Sequence, residues 1–321
     1  MRTQFKAEPS TLTTIFHPFQ MVDREPIAFL RRAAAPTKGH LGPEMRDDFN
    51  KMMEMTPDAP GVLYEEASVG KIPGWWCRPA DALEGAAILY LHGGAYVLGS
   101  ARTARHLAGQ IAARAKVAAF VAEYRLAPEC IFPAGIEDAV AAYRGLADEG
   151  FAAIFLSGDS SGGGLALATF ALMVGEAKRD IVPRPLGAAV MSPWTDLALT
   201  GKTYKSLAQA DPLLTRDSLA AAAQMYLGNH DSRDPKASPL YGDFAGLPPV
   251  LLHVGGDEIL LDDSRHYAER VVAAGGVAQL HIWEGMTHVF PSSVGTLAAS
   301  EIALKELGSF MYQLHRPALT S

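Results

Sequence analysis

Six short, continuously apolar runs recur along the chain: AAILYLH (86–92), VAAFVAEY (117–124), AAIFLSG (152–158), GAAVMSP (187–193), PVLLHVGG (249–256) and VAQLHIWEG (277–285). Their length and β-rich composition suit strands, and the lack of polar alternation means that both faces of each must be covered. Amphipathic stretches at helical spacing, such as TARHLAGQIAARAK and GIEDAVAAYRGLADEG, fill most of the intervals. Strands buried on both faces and alternating with helices specify an α/β fold with a mostly parallel sheet between helical layers. VLYEEASVGKIPGWWCRP reads as a β-hairpin with Gly70-Lys71 near its turn. Two segments break the rhythm. Residues 1 to about 50 hold no strand candidate, and residues 195–235 read as a mostly helical insertion between two strands. The expected organisation is a core over 51–194 and 236–321, with a helical cap built from 1–50 and 195–235.

Composition narrows the function classes. A formal net charge of −7 with scattered Lys and Arg argues against a nucleic-acid surface. Cys77 and Cys130 lack metal-ligand spacing and form no disulfide framework, so no metal is expected. The longest apolar helix-like run, LALATFALMVG (165–175), is about half a membrane span. MRTQFKAEPSTLTTIF is broken by charge and Pro before a signal-like stretch can form. These features set the expectation of a cytoplasmic protein without nucleic-acid or membrane partners.

The stretch FLSGDSSGGGLAL (155–167) carries the chemistry. Gly158-x-Ser160-x-Gly162 fits a nucleophile elbow, with an apolar strand before it and an Ala/Leu-rich helix after it. The glycines let strand and helix approach closely in a tight turn, so that Ser160 projects at the C-terminal end of the sheet. Ser161 then contributes its backbone amide rather than its hydroxyl. A phosphate-binding loop is the rival, and it fails because no Lys follows the glycines.

A serine needs a base to take its proton and a third group to orient that base, and in this type of fold the chain order is Ser, acid, His. His288, in EGMTHVFP, lies beyond the last strand candidate, where a loop can carry it over the sheet edge. His253 and His281 sit within strand patterns, and His106 and His266 on helices. Asp257 directly follows the strand PVLLHVGG, at the edge where Ser160 emerges. Asp262 and Asp263 read as caps of the next helix, and Glu258 and Glu284 stand as weaker alternatives. The favoured triad is Ser160, Asp257 and His288. The strand AAILYLH runs into His92-Gly93-Gly94-Ala95-Tyr96, where glycines let backbone N–H groups crowd a reacting carbonyl and stabilise its oxyanion. A second serine-hydrolase pattern, Ser68-Val69-Gly70-Lys71, falls at the hairpin turn rather than on a helix and is discarded.

With HGGA and GDSSGG come YRLAPE (124–129), FPA (132–134), SPWTDL (192–197), SPLYGDFAGLPPVLLHVGGDE (238–258) and GMTH (285–288). Over roughly residues 60–316 the chain resembles the hormone-sensitive-lipase-like family of α/β-hydrolases, the microbial esterases with an HGGG motif. The resemblance implies an eight-stranded, mostly parallel sheet, a helical cap, and hydrolysis of a small-molecule carboxylic ester without a cofactor. It implies an oxyanion hole from the amides of Gly93, Gly94, Ala95 and Ser161, with His92 bracing that loop, and a homodimer through the last strand or helix. The chain departs from the family pattern at three places: Ala95 replaces the third glycine, Ser161 replaces the usual Ala, and Asp257-Glu258-Ile259 replaces Asp-Pro-Leu. The last departure keeps Asp262 open as the acid. The gibberellin receptors resemble the same family without the catalytic His, so His288 favours an enzyme over a receptor. Amide and lactone cleavage by the same triad remain alternatives. The capped site is expected to take acyl chains of roughly four to eight carbons, each methylene adding about 0.8 kcal/mol while it finds apolar wall.

Overall fold

The computed structural model describes residues 11–315. Nine strands form one sheet: β1 (Thr11–His17), β2 (Val62–Val69), β3 (Ile72–Pro79), β4 (Ala86–Leu91), β5 (Ala118–Ala122), β6 (Ala153–Asp159), β7 (Gly187–Met191), β8 (Val250–Gly255) and β9 (Val277–Trp283). Their spatial order is β1-β9-β8-β7-β6-β4-β5-β3-β2. Only β3 runs against the others, pairing antiparallel with β2 through the expected hairpin and with β5 on its other side.

Alternate residues of each central strand feed two separate apolar layers. Ala87, Leu89 and Leu91 of β4, with Leu156 of β6 and Val190 of β7, face the helices α4 (Ala134–Asp148), α5 (Ser160–Ala177) and α8 (Leu261–Ala273). Ile88 and Tyr90, with Phe155 and Met191, face α3 (Ala101–Ala115) and α9 (Ala298–His315). A side-chain period of two with apolar residues at every position is the physical meaning of the unbroken runs. No helix of the described residues is long and apolar enough to cross a membrane.

Two expectations change. The sheet has nine strands rather than eight, because residues 11–17 form β1, in the segment expected to hold no strand. β1 pairs parallel with β9, from Thr11↔Val277 to His17↔Trp283. All of its residues but His17 are exposed, so it has no core face and no apolar periodicity to betray it. The rest of the N-terminal segment carries α1 (Arg24–Ala34) and α2 (Arg46–Met53). Within 195–235, helix is confined to α6 (Thr203–Ser206) and α7 (Arg216–Leu227). These separated segments touch: Arg31 Nη1 donates to Ala210 O at 2.8 Å, Lys38 Nζ to Ala208 O at 2.9 Å, and Gly39 N to Leu213 O at 2.9 Å.

Candidate active site

The β6–α5 junction holds Ser160 in the left-handed region, with φ at 53°. A side chain at Gly162 would run into the carbonyl oxygens of Leu91 and His92, and one at Gly158 into Leu91 O. The turn can close only with glycine at both places, as the elbow reading requires. Ser160 Oγ lies 2.9 Å from His288 Nε2.

On the other side of that imidazole stands Glu258, with Oε1 at 3.1 Å from His288 Nδ1. The carboxylate is fully buried, and its second oxygen accepts from Ser192 Oγ at 2.7 Å and Gly255 N at 2.9 Å. Ser192 Oγ also accepts from Val289 N at 3.0 Å, which ties the acid to the loop that presents the histidine. Burial alone would lower the His288 pKa. The charge and hydrogen bond of Glu258, with help from Asp211 and Asp159, outweigh burial and raise it.

The structure does not place Asp257 against His288. β8 ends at Gly255, and the turn that follows sends neighbouring side chains in different directions: Glu258 inward and Asp257 out to Arg31 of α1, with which it forms an ion pair. Arg31 also donates to Gly285 O at 3.1 Å. Asp262 and Asp263 lie in the first turn of α8, whose N-cap is Leu260, and neither acts as the cap. Instead Asp262 accepts from Lys202 N and Thr203 N, while Asp263 accepts from Thr195 N, Asp196 N and the Tyr204 hydroxyl. Glu284 is also elsewhere, accepting from Phe19 N.

The segment after β4 is bent back on itself, with φ at 124°, 55° and 64° for Gly94, Ala95 and Tyr96. The expected contribution of Gly93 changes, because its amide donates to the buried Asp159 Oδ1 at 3.1 Å, a carboxylate also held by the Tyr90 hydroxyl at 2.6 Å. No acceptor among the described residues takes the amides of Gly94 or Ala95. Ser161 is the second residue of α5, where an amide has no intrahelical acceptor. The Ser161 hydroxyl is fully buried and accepts from Tyr96 N at 3.2 Å, so it fastens the bent loop rather than meeting solvent. His92 Nδ1 lies 2.8 Å from Gly93 O, and Tyr124 donates to His92 O at 2.6 Å. Ala95, Tyr96, Ser160, Ser192 and Val289 all have positive φ without being glycine, which concentrates backbone strain around one point, as functional sites do.

Sequence reasoning missed Asp159, Ser192 and Asp211 as parts of this arrangement. Asp211 is buried and accepts from Ile259 N at 2.9 Å, beside Glu258. Among the described residues, the one grouping of three or more side chains able to hold a metal ion is His17, His281 and Glu306, which excludes the three groups around Ser160.

The chain is similar to known hydrolases along most of its length. The alpha/beta hydrolase fold family matches residues 88–292. An acetyl-hydrolase of Streptomyces hygroscopicus is 39% identical over 247 residues, covering 76% of this chain and 81% of that protein. An esterase of Acinetobacter venetianus is 31% identical over 283 residues, covering 87% and 92%. Among solved structures, an esterase/lipase from an uncultured bacterium superposes with a TM-score of 0.84 at 37% identity, covering 92% of this chain and 99% of the other. An esterase of the bacterial hormone-sensitive lipase family superposes with a TM-score of 0.84 at 36% identity, with the same coverage.

Proposed function

The chain belongs to the alpha/beta hydrolase fold family, as a bacterial hormone-sensitive-lipase-like esterase that hydrolyses carboxylic esters, and from that premise we propose how its residues divide the work. Ser160 is the nucleophile, His288 the general base and acid, and Glu258 the carboxylate that orients the imidazole. The observation that carries this reading is the unbroken relay from Ser160 Oγ through His288 to Glu258, at 2.9 and 3.1 Å.

Attack of Ser160 Oγ on the ester carbonyl passes its proton to His288 Nε2. Glu258 holds Nδ1–H, which fixes the tautomer and stabilises the imidazolium. The carbonyl oxygen becomes an oxyanion, received by the amides of Gly94, Ala95 and Ser161, all preorganised by the strained loop and the helix start. Collapse breaks the bond to the alcohol, which leaves with the proton from His288. Water then enters, gives a proton to His288 and attacks the acyl-enzyme, and the second collapse returns Ser160 and releases the acid.

Residues 18–50 and 195–235 serve as the cap of this site, the part of the N-terminal segment in β1 belonging to the sheet instead; the support is the set of hydrogen bonds between the two segments and the nearness of Asp211 to the acid turn. Tyr96 of the oxyanion loop stacks on Tyr226 of α7 at 3.9 Å, so cap and site share an apolar wall. The preferred substrates are therefore esters with acyl chains of roughly four to eight carbons, each methylene worth about 0.8 kcal/mol until the wall ends. A p-nitrophenyl ester series is expected to peak within that range. Rates still rising at palmitate would overturn it.

Of the two elements that the resemblance offers for a homodimer, the last strand and the last helix, we favour the helix α9, since β9 already has a strand on each side. A cytoplasmic location fits the two unpaired cysteines, Cys77 and Cys130. Sedimentation at assay concentration and cell fractionation test these two points. The central test is labelling with a fluorophosphonate followed by peptide mapping. The label is expected on Ser160, with labelling and turnover lost in Ser160→Ala and retained in good part in Ser161→Ala. A label on another serine overturns the assignment.

A further inference from the structure

Away from the triad, three side chains distant in sequence bring unlike ligand atoms together where β1, β9 and α9 meet. His17 Nε2 lies 3.0 Å from His281 Nδ1, His281 Nδ1 lies 2.9 Å from Glu306 Oε2, and His17 Nε2 lies 3.8 Å from that oxygen. Ligand atoms at the corners of a zinc tetrahedron with bonds of 2.0–2.1 Å stand about 3.3 Å apart, and the three measured spacings bracket that value. Hydrogen bonding accounts for the cluster poorly. One proton between the two facing ring nitrogens can satisfy only that pair, and the buried Glu306 Oε2, although 2.9 Å from His281 Nδ1, has no partner in hydrogen-bonding geometry.

A second observation points the same way. His253 is fully buried beside the cluster, and Trp283 Nε1 donates to its Nδ1 at 3.0 Å. A neutral His253 therefore carries its proton on Nε2, and that unpartnered N–H stands 3.9 Å from Glu306 Oε2. It is placed to hold the carboxylate as an outer-sphere donor, the arrangement that commonly orients metal ligands. His17 is itself stacked flat on Trp283, with ring centroids 3.6 Å apart and planes 2° apart, so its ring is already oriented.

We infer that His17 Nε2, His281 Nδ1 and Glu306 Oε2 form a binding site for one divalent transition-metal ion of the zinc type, which staples the N-terminal strand to the sheet and to the C-terminal helix. Two nitrogens and one carboxylate oxygen suit zinc and its neighbours better than calcium or magnesium, which prefer oxygen ligands alone. The partial exposure of His17 and Glu306 leaves the fourth position to water. None of these side chains belongs to the proposed triad, so the ion has a structural task and esters are hydrolysed without it.

The test uses the untagged full chain, freed of metal with a chelator and dialysed. Titration with Co2+ is expected to saturate at one equivalent with the strong visible absorption of a four-coordinate site, and Zn2+ to displace it. Zn2+ is expected to raise Tm and to slow hydrogen exchange over residues 11–17. His17→Gln and Glu306→Gln, both at partly exposed positions, should fold and each weaken binding at least about 100-fold, since even outer-sphere losses cost up to that. Absence of one-equivalent binding, or affinity unchanged in both variants, overturns the site. Binding that leaves exchange at residues 11–17 unchanged overturns the staple.

Discussion

At the residue scale, the consequential distinction is between two adjacent acids. Glu258 is buried and faces His288, whereas Asp257 is partly exposed and faces Arg31. Glu258→Gln is expected to lower turnover about 10^3–10^4-fold, because the amide leaves the imidazole in the wrong tautomer. Asp257→Asn should stay within a few-fold of the parent, having lost only its tie to α1. Initial rates on a p-nitrophenyl ester decide between them, and the reverse ranking would restore Asp257. The same pair bears on pH. Activity requires neutral His288, whose pKa is raised above its ordinary value of 6.5, so the rise of kcat/KM is expected to have its midpoint above about 6.5. Glu258→Gln removes the charge that raises it, and the midpoint of the residual activity should move to lower pH. An unchanged midpoint would mean that another group governs the profile.

At the scale of elements, the elbow works because β6, α5 and the loop after β4 pack so closely that no room is left for a Cβ at Gly158 or Gly162. Gly162→Ala places a methyl group against two carbonyl oxygens that belong to backbone and cannot rotate away. A cost of about 1–3 kcal/mol in stability is expected, as for other overpacked sites, together with loss of most activity. Urea denaturation and initial rates measure the two effects, and a variant with normal values of both would show that the turn has slack. This element was fully legible in the sequence, since Gly158, Ser160 and Gly162 report a local constraint. So were the central strands, whose runs report burial on both faces. The acid was harder. Whether Asp257 or Glu258 turns inward depends on the path of the chain past Gly255 and on Ser192 and Arg31 waiting on opposite sides, which are tertiary facts with no local signature. Gly93 was misread for a similar reason: its amide is spent on Asp159, 66 residues away. β1 escaped notice because an exposed edge strand leaves no periodic trace.

On the scale of the whole molecule, the two apolar layers and the seven strand pairings that do not involve β1 explain why so much of the architecture could be read early. Each βα unit completes its own contacts with strands close in sequence, while the cap fits onto a finished platform. β1 is the exception, and it sets a timetable. His17 meets His281 across 264 residues of chain. At ribosomal speeds of about 5–20 residues per second, that interval takes roughly 13 to 53 s. Throughout this time β1 lacks the strand that it pairs with, and it carries Leu12, Ile15 and Phe16 on a sequence well suited to extended pairing. During that interval β1 is an exposed extended segment with apolar side chains, made before the strand that it pairs with. Unpaired apolar strands of this kind are where association with other chains starts, so the hazard for this fold is concentrated at the β1–β9 seam and lasts until β9 has emerged.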